Sequence, residues 1–334
     1  MSHQYDVYAI GNALVDTEIE VSDAFLARME IGKGMMTLVD KPRQQTLLEA
    51  LQGEAEPHKQ TCGGSAANTI IATRYFGGRT FYTCRVANDN TGALFVEALT
   101  AAGVDTNMRG PRRDGISGTC LVMITDDAER TMNTFLGISE TVDETDLDIE
   151  ALRASRYAYI EGYLVTSPSA RAASIRLREL AREHGVQVAL TFSDPAMVRF
   201  FRDGLLEMIG DGVDLLFCNE DEARDFTGTD SAEAALEALK AHARQVVMTR
   251  GARGAMAWDG EQLHHIDGVP VKAVDTNGAG DMFAGAFLYG ITHDHDFATA
   301  GRLASAAAAR VVSDFGPRLS PEAHLAVRQD VLGA

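Results

Sequence analysis

The chain has 334 residues, 46% of them hydrophobic, enough for one large core with a smaller appendage or for two domains. Its 48 acidic residues against 30 basic ones leave a formal charge of −18, which argues against nucleic acid or an anionic membrane as the main partner. Four scattered cysteines (Cys62, Cys84, Cys120, Cys218) form no C-x-x-C pair and have no histidine at zinc spacing, so they read as reduced thiols.

The opening, MSHQYDVYAIGNALVD, has no basic region followed by an apolar one, and no run reaches the roughly 18 apolar residues of a membrane span. The expected compartment is the cytoplasm. YDVYAIGNALVDTEIEV (5–21) is rich in β-branched and aromatic residues and reads as a strand, as do GMMTLVD, RTFYTCRVA, GTCLVMIT and RTMNTFL. From residue 156 the pattern becomes regular. Strand RYAYI is followed by helix SPSARAASIRLRELAREHG, strand VQVALTF, a short helix, strand VDLLFC, helix SAEAALEALKAHA and strand QVVMT. This alternation predicts an α/β fold whose central, mostly parallel sheet is flanked by helices. No fixed-period repeat or low-complexity linker divides the chain. Two stretches break the alternation, and they predict a small β lid over the carboxyl ends of the strands. The lid is expected at about 17–40 and 105–136, with the core at about 1–16, 41–104 and 137–334.

The chemistry concentrates in DTNGAGDMFAGAFLYG (275–290). Small residues opening an apolar helix aim unpaired N–H groups and the positive end of the helix dipole at one point, which suits a phosphate. A carboxylate there repels phosphate, so Asp281 reads instead as a proton acceptor one residue beyond an anion hole formed by Gly278, Ala279 and Gly280. A calcium loop is excluded, because Ala286 stands at position twelve, where Glu is needed. The sequence also lacks a Walker-type loop, a dinucleotide fingerprint and G-x-S-x-G. The plain alternative is a tight turn with Asp281 favouring the first helical turn. In CGGSAANTIIATRYFGG (62–78), Gly63 and Gly64 let backbone approach a ligand, and Asn68 offers a donor and an acceptor to a hydroxyl; a capped helix of small residues would look the same. Asn219 and Glu222, at a strand end and helix start, are hard ligands suited to Mg²⁺ through water, or an ordinary cap. His293 and His295 in THDHDF have no further ligands nearby and read as a solvated turn.

Together, the glycine-rich CGGSAANT, CNEDEA, VVMTRGARGAMAW (246–258) and DTNGAGDMFAG resemble, in order, the motifs of the ribokinase-like (PfkB) carbohydrate and nucleoside kinases. The resemblance covers nearly the whole chain and implies ATP and Mg²⁺. It places Asn219, Thr249, Gly251, Gly254, Asn277 and Ser305 at the nucleotide, Asn219 and Glu222 at the metal, and Asn12 and Asp16 at the hydroxyls of a ribose or sugar. Within the family the layout most resembles adenosine kinases. That likeness implies Arg130 at a phosphate, Leu136 near the substrate, Tyr163 stacked on a purine, and transfer of the ATP γ-phosphoryl to the 5′-hydroxyl of adenosine. TFLGISETV departs from the usual alanine-rich run, so guanosine, inosine, ribose, fructose and 2-keto-3-deoxygluconate stay open as acceptors, as does a non-catalytic nucleoside or sugar sensor. Oligomeric state, monomer or lid-mediated dimer, is left open by the sequence.

Overall fold

Nine strands lie side by side in the order Leu263–Ile266, Ala255–Trp258, Ala243–Thr249, Val213–Asn219, Gln187–Thr191, Ser155–Glu161, Tyr5–Ile10, Thr80–Thr83 and Asp105–Thr106. The computed structural model describes residues 3–52, 59–108 and 110–333. The strands from Ala243–Thr249 to Asp105–Thr106 pair in parallel, and the last two at the other edge are antiparallel. Parallel strands buried on both faces need helices on each side. Helices Pro168–Glu183, Pro195–Ile209, Glu220–Thr227 and Ala232–Leu239 cover one face, and Ser65–Tyr75, Asn90–Ala102, Ala279–Thr292 and Phe297–Val311 the other. No helix among the described residues is long and apolar enough to cross a membrane.

The stretch 5–21 is two strands rather than one. Tyr5–Ile10 belongs to the large sheet, whereas Leu14–Glu20 pairs with Lys59–Gly63 and Gly118–Ile124 in a second sheet of five strands. The break falls at Gly11-Asn12-Ala13, where Glu161 from the neighbouring strand takes the N–H of Asn12 at 3.2 Å and its side-chain amide at 3.0 Å. Asp16 therefore sits in the second sheet and not on the first strand of the core. The second sheet also takes Lys59–Gly63, a short run with little apolar signal, and it leaves Asp105–Thr106 to the edge of the large sheet. The expected lid of 17–40 and 105–136 thus gains Leu14–Asp16 and Lys59–Gly63 and loses Asp105–Thr106. The helix expected to be short between Gln187–Thr191 and Val213–Asn219 spans 15 residues, with non-helical geometry at Phe201.

Strand alternation gives the second sheet two different faces. Leu14, Asp16, Cys120, Arg130, Met132 and Thr134 look toward the carboxyl edge of the large sheet. Ile19, Leu121 and Met123 look away and are buried under Phe25, Leu26, Leu47 and Leu51 of helices Asp23–Arg28 and Lys41–Leu51.

Gly11 marks how tightly the two sheets join. A Cβ there would stand 2.5 Å from Glu161 Oε2 and 2.6 Å from the Ala66 Cβ. Gly11→Ala is expected to cost about 1–3 kcal/mol of stability through overpacking, measured by urea unfolding; an unchanged midpoint would mean that Glu161 swings aside freely.

Candidate active site

Brought together at the carboxyl ends of parallel strands are two cavities that share one wall. The first has about 590 Å³ of free volume and is lined by Asn12, Asp16, Gly64, Asn68, Arg130, Leu136, Tyr163, Asn277 and Asp281, with an apolar side made by Leu14, Met36, Leu38 and Met132. The second is lined by the polar Thr191, Ser193, Asn219, Glu222, Thr249 and Asp281, by Gly280, and by the apolar side chains of Tyr159, Phe217, Cys218 and Phe283. Ser65 and Asp281 line both. They meet where the sheet order reverses, between the strand ending at Ile10 and the strand ending at Glu161, the usual ligand crevice of open α/β sheets.

Asp281 stands in the first turn of helix Ala279–Thr292, beside the start of Ser65–Tyr75. Its Oδ1 accepts from Ser65 Oγ at 2.6 Å and its Oδ2 from Asn68 Nδ2 at 3.0 Å. Burial pushes its carboxyl pKa up, while these two bonds and the Arg130 and Arg318 charges pull the other way. Arg130 also reaches Asn277 Oδ1 at 3.4 Å, and the buried Asn277 Nδ2 has no hydrogen-bond partner among the described residues. The helix begins at Gly278, whose φ of 74° suits glycine and whose missing Cβ lets Pro317 O approach; a Cβ would lie 2.4 Å from it. The expected hole of Gly278, Ala279 and Gly280 is altered in one respect. The Ala279 N–H closes a turn on Thr276 O at 3.3 Å, and the first helical bond is Met282 to Gly278, which leaves the N–H groups of Gly280 and Asp281 as the first-turn donors. Open space lies above Gly280.

Asp16 is 5% exposed, its carboxylate makes no hydrogen bond among the described residues, and it lines the first cavity. Gly63 makes room for it, since a Cβ there would lie 2.1 Å from the Asp16 carboxylate. Burial raises the Asp16 pKa to about 7 against the pull of Arg318. Asn12 is less free than its sequence position suggests. Its amide donates to Glu161 and its Oδ1 accepts from Ser139 at 3.3 Å. Asn68, expected to grip a hydroxyl, spends its donor on Asp281 and its Oδ1 on Arg318 Nη1 at 2.9 Å. Tyr163 is half-buried along the first cavity, with its hydroxyl 3.4 Å from Asp194 Oδ2.

On the second cavity, Asn219 and Glu222 form a reciprocal helix cap. Glu222 N–H donates to Asn219 Oδ1 at 2.8 Å, and Glu222 Oε2 and Oε1 accept from Asn219 N–H at 2.8 Å and Nδ2 at 2.9 Å. The cap and the cavity position coexist, because each carboxylate oxygen keeps a further lone pair. Desolvation raises the Glu222 pKa to about 8. Among the described residues no group of three or more His, Cys, Asp or Glu is arranged to hold a metal. One carboxylate beside a phosphate site suits Mg²⁺, which keeps much of its water. Thr249 lines this cavity; Gly251 and Gly254 flank the next turn, and Ser305 Oγ donates to Asp267 O at 2.8 Å, so these three lie outside both cavities. His293 stacks on Tyr289 and contacts Tyr289 O through Nδ1 at 2.9 Å, while the backbone N–H of His295 donates to Gly290 O at 3.1 Å. Ser65, Glu161, Asp194 and Arg318 escaped the sequence reading; an acid ending the apolar run RYAYIE was the one visible hint.

This fold with this site is that of a phosphotransferase acting on an alcohol group. The pfkB family carbohydrate kinase profile matches residues 29–324, and the chain belongs to that family. It is 28% identical to adenosine kinase from Saccharomyces cerevisiae over 94% of this chain and 96% of that one. Two solved structures superpose on it over 98% of this chain and 99% of theirs. One is a probable sugar kinase from Rhizobium etli (TM-score 0.93, 31% identity), the other adenosine kinase from Sinorhizobium meliloti (TM-score 0.92, 32% identity). The chain is a nucleoside or sugar kinase that uses ATP.

A carboxyl with a folded-state pKa near 7 and an unfolded one near 3.9 binds its proton more tightly when folded. Its contribution to stability is present below about pH 4 and is lost as pH rises through 7. Asp16→Asn removes that loss. The variant is expected to unfold at higher urea than the parent at pH 8, by at most about 4 kcal/mol, with the difference shrinking toward pH 4. Parallel pH profiles would show that Asp16 ionises in the fold without cost.

Proposed function

We propose that the chain transfers the γ-phosphoryl group of ATP to the 5′-hydroxyl of adenosine, giving AMP. The observation that carries this reading is the make-up of the first cavity. Its polar groups, Asp16, Asn68 and Asp281, suffice for a pentose, but the same cavity also has an apolar wall of Leu14, Met36, Leu38, Met132 and Leu136 and is lined by Tyr163 as well. A free sugar leaves such a wall wet, whereas a purine buries it and stacks on the tyrosine. Two similar proteins named adenosine kinase support the same choice. A sugar acceptor is the second reading, favoured by the polar groups and by likeness to the probable sugar kinase.

In this mechanism Asp16 accepts the ribose hydroxyls and leaves the 5′-hydroxyl at Asp281, which takes its proton as the oxygen attacks phosphorus. The hydroxyl of Ser65 and the amide of Asn68 hold the carboxylate in line. Phosphoryl oxygens meet the N–H groups at the start of helix Ala279–Thr292, and Arg130 offsets their charge. Mg²⁺, when bound with the nucleotide, neutralises phosphate charge, and Glu222, with Asn219 capping it, is the residue that would hold it through water. Thr249, Asn277 and the turn from Gly251 to Gly254 serve the nucleotide, with Ser305 beside its base. The second sheet acts as a lid. Thr276 Oγ1 donates to Ala128 O at 3.1 Å across the join, and closure keeps out water that would otherwise accept the phosphoryl group. The cytoplasm is the compartment this chemistry suits.

ADP formation from Mg-ATP is to be measured with adenosine, guanosine, inosine, ribose, fructose and 2-keto-3-deoxygluconate. Adenosine is expected to lead in kcat/KM by at least about 10²-fold; a leading free sugar retires the purine pocket. Asp281→Ala is expected to lower kcat by at least about 10²-fold with a smaller effect on KM, and near-normal turnover ends its role as base. Asp16→Ala is expected chiefly to raise the acceptor KM, and an unchanged KM places the ribose grip elsewhere.

A further inference from the structure

Asp281 is oriented by a chain of contacts that starts far away in sequence. The segment Asp314–Arg318 is fastened at two points to the turn that opens the Asp281 helix. Gly316, with φ 102°, donates its N–H to Asp275 Oδ2 at 3.0 Å, and Pro317 packs into the space left by Gly278. From this fixed point the half-buried Arg318 reaches across to Asn68, whose Oδ1 accepts its Nη1 at 2.9 Å, and Asn68 Nδ2 then donates to Asp281 Oδ2 at 3.0 Å. We propose that Arg318 is a positioning residue for phosphoryl transfer, fixing the Asp281 carboxylate through the amide of Asn68. This rests on Asp281 as the proton acceptor.

The argument is one of donors and acceptors. The two ends of an asparagine amide are nearly identical in shape, so only its partners decide which end points where. A guanidinium has donors alone. Arg318 therefore holds the Asn68 oxygen on its own side and turns the NH₂ to Asp281. Without Arg318 the amide is free to turn over and set its oxygen against the carboxylate, a repulsive contact that would swing Asp281 out of line. Ser65 holds only the other oxygen, Oδ1. The Arg318–Asn68 bond is charge-assisted and partly buried, which makes it a firm anchor.

The charge has a second effect. Around Asp281 stand the cations Arg130 and Arg318, the acids Asp16 and Glu161, and the phenols of Tyr82, Tyr159 and Tyr163. Burial and the neighbouring acids favour the protonated carboxyl, and the two guanidinium groups favour the ionised form that a base requires. Removing Arg318 raises the Asp281 pKa, so the acid limb of kcat moves to higher pH. A residue that merely held the loop in place would leave that limb where it was.

The test uses Arg318→Met and Arg318→Lys in the full chain, assayed with whichever alcohol of the panel the parent turns over, so the outcome does not depend on adenosine. Arg318→Met is expected to lower kcat by about 10- to 100-fold with a small change in the KM of ATP, and to shift the acid limb upward. Arg318→Lys is expected to return the limb toward its original pH while recovering only part of kcat, since a lysine lacks the fixed fork. Compared on the plateau above the acid limb, the double variant Asn68→Ala, Arg318→Met is expected to be no slower than Asn68→Ala alone. Unchanged kcat, full multiplication of the two losses, or an effect confined to the ATP KM overturns the inference. If circular dichroism finds Arg318→Met unfolded, the lysine variant and its pH profile decide. Near-normal turnover by Asp281→Ala would retire the base itself; normal Arg318→Met turnover beside a crippled Asp281→Ala retires only the role given to Arg318.

Discussion

The site hangs on one buried carboxylate that takes no part in the proposed chemistry. Glu161 is fully buried at the reversal of strand order, where it accepts the N–H and amide of Asn12 and, at 2.8 Å, the N–H of Ala66. These bonds bind the exit of one core strand to the first turn of helix Ser65–Tyr75. That helix carries Ser65 and Asn68 to Asp281, and the turned-out chain after Asn12 carries Asp16 into the second sheet. Burying the group costs free energy, seen in a pKa raised to about 7, and a hydrophobic residue of similar size would pack there at less cost. It could not, however, hold three N–H groups at one point, and that geometry sets the distance between the two sheets.

Much of this was legible in the sequence where the signal is local. The strand–helix alternation after residue 156 follows from apolar periodicity, and the helix opening at Gly278 follows from small residues ahead of an apolar run. Asp281 could be singled out because its charge conflicts with its surroundings, and a conflict is visible without coordinates. Long-range pairing was not legible. Nothing in GNALVDTEIE distinguishes a strand that continues in one sheet from a strand that crosses to another, since both alternate apolar and polar residues, and the deciding bonds come from Glu161. Asn68 looked like a ligand-binding amide because its partner Arg318 lies 250 residues away. The Asn219–Glu222 pair was legible as a helix cap, and the cap is present with both reciprocal bonds.

The two cavities differ in what they must do, and their walls reflect it. The acceptor side combines one unpaired acid with an apolar face from the second sheet, which suits a ligand with a polar end and a flat apolar end. The side proposed for the nucleotide sets Thr191, Ser193, Asn219, Glu222 and Thr249 beside the rings of Tyr159, Phe217 and Phe283 and includes the start of helix Ala279–Thr292, whose backbone donors suit phosphate oxygens. Asp281 and Ser65 are common to both, so in the proposed reaction the hydroxyl and the phosphoryl group approach one carboxylate from different cavities while little else is shared. Changes of acceptor specificity can then arise in the second sheet without disturbing the phosphate contacts.

The distances in sequence between the groups around Asp281 also bear on how the protein is made. Ser65 and Asp281 are 216 residues apart, and Asn68 and Arg318 are 250 apart. Contacts of such separation close late in folding, after local helices and neighbouring strands have formed. A chain emerging from the ribosome thus holds all strands of its second sheet after Phe135, but it gains an oriented carboxylate only when its last helices dock. In the proposed reaction a partly synthesised or partly folded chain therefore lacks its base, however complete its second sheet.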